Sequence, residues 1–354
     1  MESGYVTLEQ VAEHAGVSLA TASRVINGST RQVSQRLRDK VTASAQELGY
    51  LANASAQTLA RNSSSLVGLL VHDIADPYFS SIAAGVTRHT EERGLVLVLG
   101  TTSRSAQKEG RILATLRAHR ARAVVLVGSR STDDESNRRL AEEIRLFRRQ
   151  GGRVACVSQE GLPADTVTPD NHTGAADLAR HLIAQGHREF AILAGPTDLW
   201  TARERLDGFH SALSGAGLEL AHHNVVHGAF TRDGGYESTR RLMAVGTGAT
   251  CLFAVNDVMA TGAMAALRDL GLRVPEDLSV VGFDDIPTLR DLTPALTTVR
   301  LPLEEMGERA ALLALEEEPG EEARVITVRG EVVERESTAP PSVAARGKNT
   351  SGTA

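Results

Sequence analysis

Four polar residues close apolar runs of the chain: Asp73 after LVGLLV, Gln159 after RVACVS, Asn256 after CLFAV and Asp284 after LSVVGF. In an open α/β sheet, ligands sit outside the carboxyl ends of the strands. Carboxylates and amides placed there suit a hydroxyl-bearing ligand rather than a reaction. No Gly-x-Gly-x-x-Gly follows a strand, no Gly-Lys-Ser/Thr phosphate loop occurs, and no Gly-x-Ser-x-Gly elbow is present. The acidic pairs have no positioned nucleophile beside them, so catalysis is not expected. His222 and His223 are adjacent on a polar stretch without a third ligand, which argues against a metal. Cys156 and Cys251 sit inside apolar runs and read as small core residues of a reducing compartment. No cofactor is implied.

These residues need strands to carry them. Runs such as LVLVLG, AVVLVG and FAILAG recur after Leu66, separated by helical periodicity over Ser80–Arg93, Ala106–His119, Ala175–Gln185 and Asp257–Leu270. Apolar strands alternating with helices imply parallel sheets covered on both faces. About ten such strands exceed one comfortable sheet, which favours two α/β lobes.

The first fifty residues are different. Thr7, Ser18 and Ser34 each precede a short stretch with helical apolar spacing, and Gly16, Asn27-Gly28 and Gly49 interrupt them. Two helices joined by a Gly turn and braced by a third form a helix-turn-helix, whose second helix enters the DNA major groove. Leu19 and Ala20 at its start suit a thymine methyl, Arg24 can fork onto guanine, and Thr21, Ser23 and the amides near Ser18 can bind phosphates. Asn53 to Arg61 is polar and alanine-rich, too short to stay helical alone.

With 42% apolar and 23% charged residues and a net charge of −6, the 354-residue chain is neither disordered nor strongly basic. It has no run of the roughly 20 apolar residues a membrane span needs. Without an apolar leader region it is expected to be cytoplasmic.

The ordered motifs resemble the lactose-repressor (LacI/GalR) family. The match runs from Val6–Ser18 and Thr21–Asn27 through Leu48-Gly49-Tyr50 and Ala56–Ala60. It continues at Asp76–Phe79, Asp170-Asn171, Gly186–Arg188, Arg205–Phe209, Asn256-Asp257, Gly282–Asp285 and Pro294–Thr298. Ala22 stands where Val is usual, and Leu37 where Thr is usual.

The resemblance implies a small all-α helix-turn-helix headpiece over residues 1–51 and a hinge helix and linker over 52–65. After them comes a two-lobed α/β core like that of periplasmic binding proteins. One lobe is expected over 66–164 plus about 292–323, the other over 165–291 plus about 324–336, with a disordered tail over 337–354. Paired hinges would insert Leu59 into the minor groove and kink the duplex, with Asn53, Ala56 and Gln57 lining that groove and Thr7 and Asn27 also at the DNA. The resemblance adds Tyr78, Phe79, Asp170, Trp200, Arg205 and Phe230 to the effector site. The expected partners are double-stranded operator DNA, a second copy of the chain, and a small effector, a sugar or polyol being favoured and a purine staying open. Two other readings stay open: a periplasmic-type sugar-binding protein and a nucleotide-using α/β enzyme.

Overall fold

The computed structural model describes residues 6–27, 33–50, 64–316 and 322–341. The chain divides into two compact units, residues 1–65 and 66–354.

The first unit contains α1 (Leu8–His14), α2 (Leu19–Ile26) and α3 (Gln35–Glu47). Thr7 and Gln10 form a reciprocal capping box: Gln10 N donates to Thr7 Oγ1 at 3.3 Å and Thr7 N to Gln10 Oε1 at 2.8 Å. Ser18 caps α2 by accepting from Thr21 N, whereas Ser34 precedes α3 without a side-chain cap. Gly16 turns the chain between α1 and α2 at φ +58°, a left-handed conformation that favours glycine. Val11, Ala12, Ala15, Ala22, Val41 and Ala45 form the buried core. Its small residues let three short helices approach closely, and Ala22 is fully buried among them.

The second unit is built of parallel strands and covering helices. Its first sheet has the order β11-β5-β4-β3-β1-β2, with β1 (Leu66–Val71), β2 (Val96–Thr101), β3 (Ala123–Val127), β4 (Arg153–Val157), β5 (Asp165–Pro169) and β11 (Val325–Val328). The helices of this lobe are α4 (Pro77–Glu91), α5 (Ala106–Ala118), α6 (Asp134–Arg149) and α11 (Leu303–Leu315). A Cβ on Gly85 would lie 1.9 Å from Glu304 O and one on Gly307 2.1 Å from Ile82 O, so glycine is what lets α4 and α11 pack backbone to backbone.

The second sheet has the order β7-β6-β8-β9, with β6 (Phe190–Leu193), β7 (Val225–Val226), β8 (Cys251–Ala254) and β9 (Ser279–Val281). Around it lie α7 (Asn171–Ala184), α8 (Trp200–Gly215), α9 (Arg232–Val245) and α10 (Asp257–Asp269). A short antiparallel pair, β10 (Thr298–Arg300) with β12 (Glu331–Val333), completes the fold.

Two expected boundaries are corrected. Residues 165–169 and 325–328 belong to the first sheet, not the second lobe: β5 pairs with β4 and β11 with β5, and Asp165 accepts from Arg324 N at 2.8 Å. The expected disordered tail begins too early. Ser337 is fully buried; it accepts from Val280 N at 2.9 Å and its hydroxyl donates to Val280 O at 2.6 Å. The Ser337 carbonyl and hydroxyl pair both backbone groups of Val280 in β9, and the hydroxyl bond is one an apolar side chain could not make.

Candidate functional site

Where the two lobes face each other, segments following strand carboxyl ends line a pocket. From the first lobe come His72 after β1, Arg104 after β2, Ser129 after β3, and Asp76, Tyr78 and Phe79 at the start of α4. From the second come Leu199 and Thr201 after β6, Phe230 after β7, Asn256 after β8 and Asp284 after β9. Parallel strand ends are where backbone amides and helix amino termini collect, and each wall residue is held by that local geometry. Asp76 caps α4 by accepting from Tyr78 N, and Asn256 caps α10 by accepting from Met259 N at 3.0 Å.

Arg205 organises the floor. Its Nη2 donates to Asp284 Oδ1 at 2.7 Å, its Nη1 to Val255 O at 2.8 Å and its Nε to Asn171 Oδ1 at 2.9 Å. The guanidinium lies 3.9 Å from the Phe283 ring centroid, and the side chain is almost wholly buried. Three acceptors and a ring face fix one orientation of the fork. Asp284 has φ +123° and Asp285 φ +58°. Asp284 is held there by its N–H on Val299 O and its carbonyl under Leu301 N. Asp285 is no solvated turn residue, because Arg300 and Arg335 bridge to it at 2.7 and 2.6 Å.

The pocket combines buried acids with cations. Burial pushes the Asp284 carboxyl up to about 6 against the opposing pull of Arg205. Burial also raises Asp76 and the Tyr78 hydroxyl. Burial, reinforced by Arg130, lowers His72 to about 4, so the ring is neutral near pH 7; Thr102 Oγ1 sits 2.9 Å from its Nδ1. Arg104 donates to Phe230 O at 3.3 Å; burial lowers its guanidinium, against the opposing pull of Asp76, Asp73 and Asp198 nearby. With Arg205 matched by Asp284, such a surface grips hydroxyls without demanding a charged ligand, and Tyr78, Phe79 and Phe230 supply apolar faces.

Six of the ten effector candidates line this cavity: Tyr78, Phe79, Arg205, Phe230, Asn256 and Asp284. The other four do not. Asp73 is exposed and its carboxylate accepts from Ala75 N in a turn; the wall residue is His72, the first after β1. Asp170 caps α7 by accepting from Thr173 N, and its neighbour Asn171 reaches Arg205 instead. Trp200 starts α8 with 41% of its surface exposed and lines a separate open cleft, together with Gln159, Arg130, Leu162 and Glu204. Its backbone, not its ring, bridges the lobes. Asp257, the first residue of α10, is buried, accepting from Thr298 Oγ1 at 2.7 Å and Ile286 N at 3.0 Å. Burial, with Asp284 next in effect, raises it to about 8.

His72, Asp76, Arg104, Ser129 and Thr201 were not singled out from sequence. The signal for His72 was the strand end itself, read one residue too far. Arg104 follows Ser103, and both have positive φ, a reversal that apolar patterning does not reveal.

In the first unit, α2 presents Leu19, 50% exposed, with exposed Ala20 and Arg24 on its outer side. The hydroxyls of Ser18 and Thr21 lie 2.8 Å apart at the cap, and Asn27 Nδ2 donates to Ser23 Oγ at 3.1 Å. Asn53, Ala56, Gln57 and Leu59, and the turn of residues 28–32, lie outside the described residues. Among the described residues, no helix is long and apolar enough to cross a membrane, and no three His, Cys, Asp or Glu side chains gather to hold a metal.

Comparison with known proteins agrees with this division. Residues 7–53 match the model for bacterial regulatory proteins of the lacI family, and residues 179–338 that for a periplasmic binding protein-like domain. The chain is 36% identical over 320 residues to the HTH-type transcriptional regulator CelR of Thermobifida fusca, covering 89% of this chain and 92% of that protein. A solved complex of CelR with cellobiose superimposes with a TM-score of 0.68 at 33% identity, over 94% of this chain and 99% of that one. A lac repressor dimer bound to operator and the anti-inducer ONPF gives a TM-score of 0.80 at 28% identity, over 95% and 100%.

Proposed function

Since the chain belongs to the lacI family of bacterial regulatory proteins, we propose that it represses transcription as a homodimer on operator DNA and that a neutral sugar or polyol between its lobes changes that binding. It is a DNA-binding regulator and not an enzyme, as its relatives are. The observation that carries the effector reading is the buried Arg205–Asp284 pair at 2.7 Å, set beside Asn256 in a cavity with aromatic walls. A guanidinium fork, a carboxylate and an amide together satisfy vicinal hydroxyls, and an aromatic ring covers the apolar face of a sugar. That CelR has been solved with cellobiose supports this class.

The mechanism follows from chain connectivity. β1 begins at Leu66, directly after the linker, and ends one residue before His72 in the pocket wall. Leu66 O accepts from Arg122 N at 2.8 Å, which anchors that entry point to the neighbouring strand. A ligand that binds one arrangement of the lobes more tightly shifts the population toward it. The shift moves the two entry points of a dimer, and with them the hinges carrying Leu59. Arg24, Leu19 and Ala20 read base edges; Thr7, Ser18, Thr21, Ser23 and Asn27 position the helix on the backbone; Asn53, Ala56, Gln57 and Leu59 occupy the minor groove. The edge strand β2 leaves Val96 54% exposed, with Val98 and Leu99 also uncovered, an unpaired apolar edge suited to a second copy. We take the cytoplasm, where operator DNA lies, as its working compartment.

The test is a thermal-shift screen of sugars, polyols and nucleobases, with cellobiose as the first probe. A native-state ligand raises the melting temperature, and the same compound must alter operator binding. A stabilising nucleobase and inert sugars would replace the sugar reading with a purine one.

A further inference from the structure

Beside the pocket, a chain of buried and partly buried hydrogen bonds crosses from one lobe to the other, and the Glu204 carboxylate sits at its centre. On the first-lobe side, Arg130 forks onto Glu109 at 3.1 and 3.2 Å, a pair almost wholly buried. Its backbone N–H donates to Gln159 Oε1 at 2.9 Å. Gln159 Nε2 then reaches the second lobe, donating to Thr201 Oγ1 at 2.8 Å and to Glu204 Oε2 at 3.1 Å. Glu204 Oε2 also accepts from Asn171 Nδ2 at 2.8 Å, and Asn171 Oδ1 accepts from Arg205 Nε. Backbone bonds run beside this chain: Trp200 N to Arg130 O at 3.1 Å, Thr132 N to Asp198 O at 2.9 Å and Thr201 N to Ser129 Oγ at 3.1 Å.

We infer that Glu204 is a positioning residue, the latch that holds the lobes together and, through Asn171, sets the orientation in which Arg205 meets the effector. The second role rests on the effector reading given above; the first does not. Asn171 presents its oxygen to Arg205 only if its amide nitrogen faces the other way, and the Glu204 carboxylate is the acceptor that fixes that choice. The same oxygen takes the amide of Gln159, so one atom links the hold on the effector arginine to the seating of the first lobe. A ligand that displaces Arg205 would therefore loosen Gln159 and the segment Ser129–Thr132, and a separation of the lobes would weaken the Asn171 contact to Arg205. Glu204 lies one residue before Arg205 on α8, so both follow any movement of that helix.

Hydrogen exchange on the full chain without effector tests the latch. The readouts are the amides of Arg130, Thr132, Trp200 and Thr201, with the amides of β3 as an internal reference. In Glu204→Ala the carboxylate acceptor is gone, and these bridging amides should exchange roughly tenfold faster or more, while the β3 amides stay as in wild type. Glu204→Gln keeps a carbonyl acceptor but not its charge, and should show a smaller rise confined to the same amides. Should Glu204→Ala fail to fold, the glutamine variant carries the test alone. Bridging amides at wild-type rates, or a uniform rise through both lobes, would overturn the latch. An inert sugar panel with a positive exchange result would instead remove only the effector reading and the role assigned to Arg205.

Discussion

Arg205 and Asp284 lie 79 residues apart in sequence, yet their side chains meet at 2.7 Å in the floor of the inter-lobe cavity, both almost wholly buried. Neither charge is stable there without the other, and the carboxylate has only a left-handed backbone on which to stand. Removing Arg205 leaves Asp284 as an uncompensated buried charge, a loss of about 3–5 kcal/mol. Arg205→Ala is expected to bind operator but not respond to sugar, with a lowered melting temperature. Arg205→Lys should fail as well, because one ammonium cannot serve Asp284, Val255 O and Asn171 together. Calorimetric titration of both variants checks this.

Stability should fall as the solution becomes more alkaline. Asp257 is raised by burial to about 8, so the native state holds its proton well above the pH at which the unfolded chain releases it. Wherever the native state binds more protons, raising the pH destabilises it. Between pH 6 and 8 this loss is on the order of 2 kcal/mol, and it levels off above about pH 8. Asp257→Asn, which cannot titrate, should lose markedly less over that interval; denaturant melts at four pH values give the slope.

Of the two aromatic residues expected at the effector site, Phe230 lines the pocket and Trp200 does not. Phe230 lines the cavity with Arg104 over its ring, whereas Trp200 faces the neighbouring space with Arg203 beside it. Phe230→Ala should weaken effector binding about tenfold or more, and Trp200→Ala should change it by less than about threefold. Reversal of the two effects would return Trp200 to the effector site.

The hinge carries its own prediction. Leu59 is a lone apolar residue in a polar stretch, expected to act as a wedge that makes the kinked duplex stable. Leu59→Ala should weaken operator binding by at least tenfold with effector affinity unchanged. Fluorescence anisotropy with a labelled operator, and calorimetry with the sugar, separate the two.

The strands and their ends were legible because apolar runs flanked by helical periodicity admit few other arrangements, and those ends led to Asn256 and Asp284. The headpiece was legible from capping residues, helical apolar spacing and Gly stops: Thr7 and Ser18 cap as their types suggest, and Ser34 marks the start of α3 without a side-chain cap. What stayed hidden depended on pairing across long separations. That β5 and β11 join the first sheet is decided by their register with β4 and with each other, which no local pattern encodes. Ser337 read as tail because its composition is polar, and its burial becomes visible only once β9 needs partners. The aim of the Trp200 ring is fixed by the backbone bridge to Arg130, formed between two lobes.

The central claim is that filling the inter-lobe cavity and gripping DNA are coupled, and coupling in binding is reciprocal. The direct measurement is a thermodynamic cycle with the sugar that emerges from the thermal-shift screen. Operator affinity is measured with and without saturating sugar, and sugar affinity with and without saturating operator. The account predicts the same factor on both sides of the cycle, about fivefold or more. A factor of one, with sugar and operator each bound normally, would contradict it.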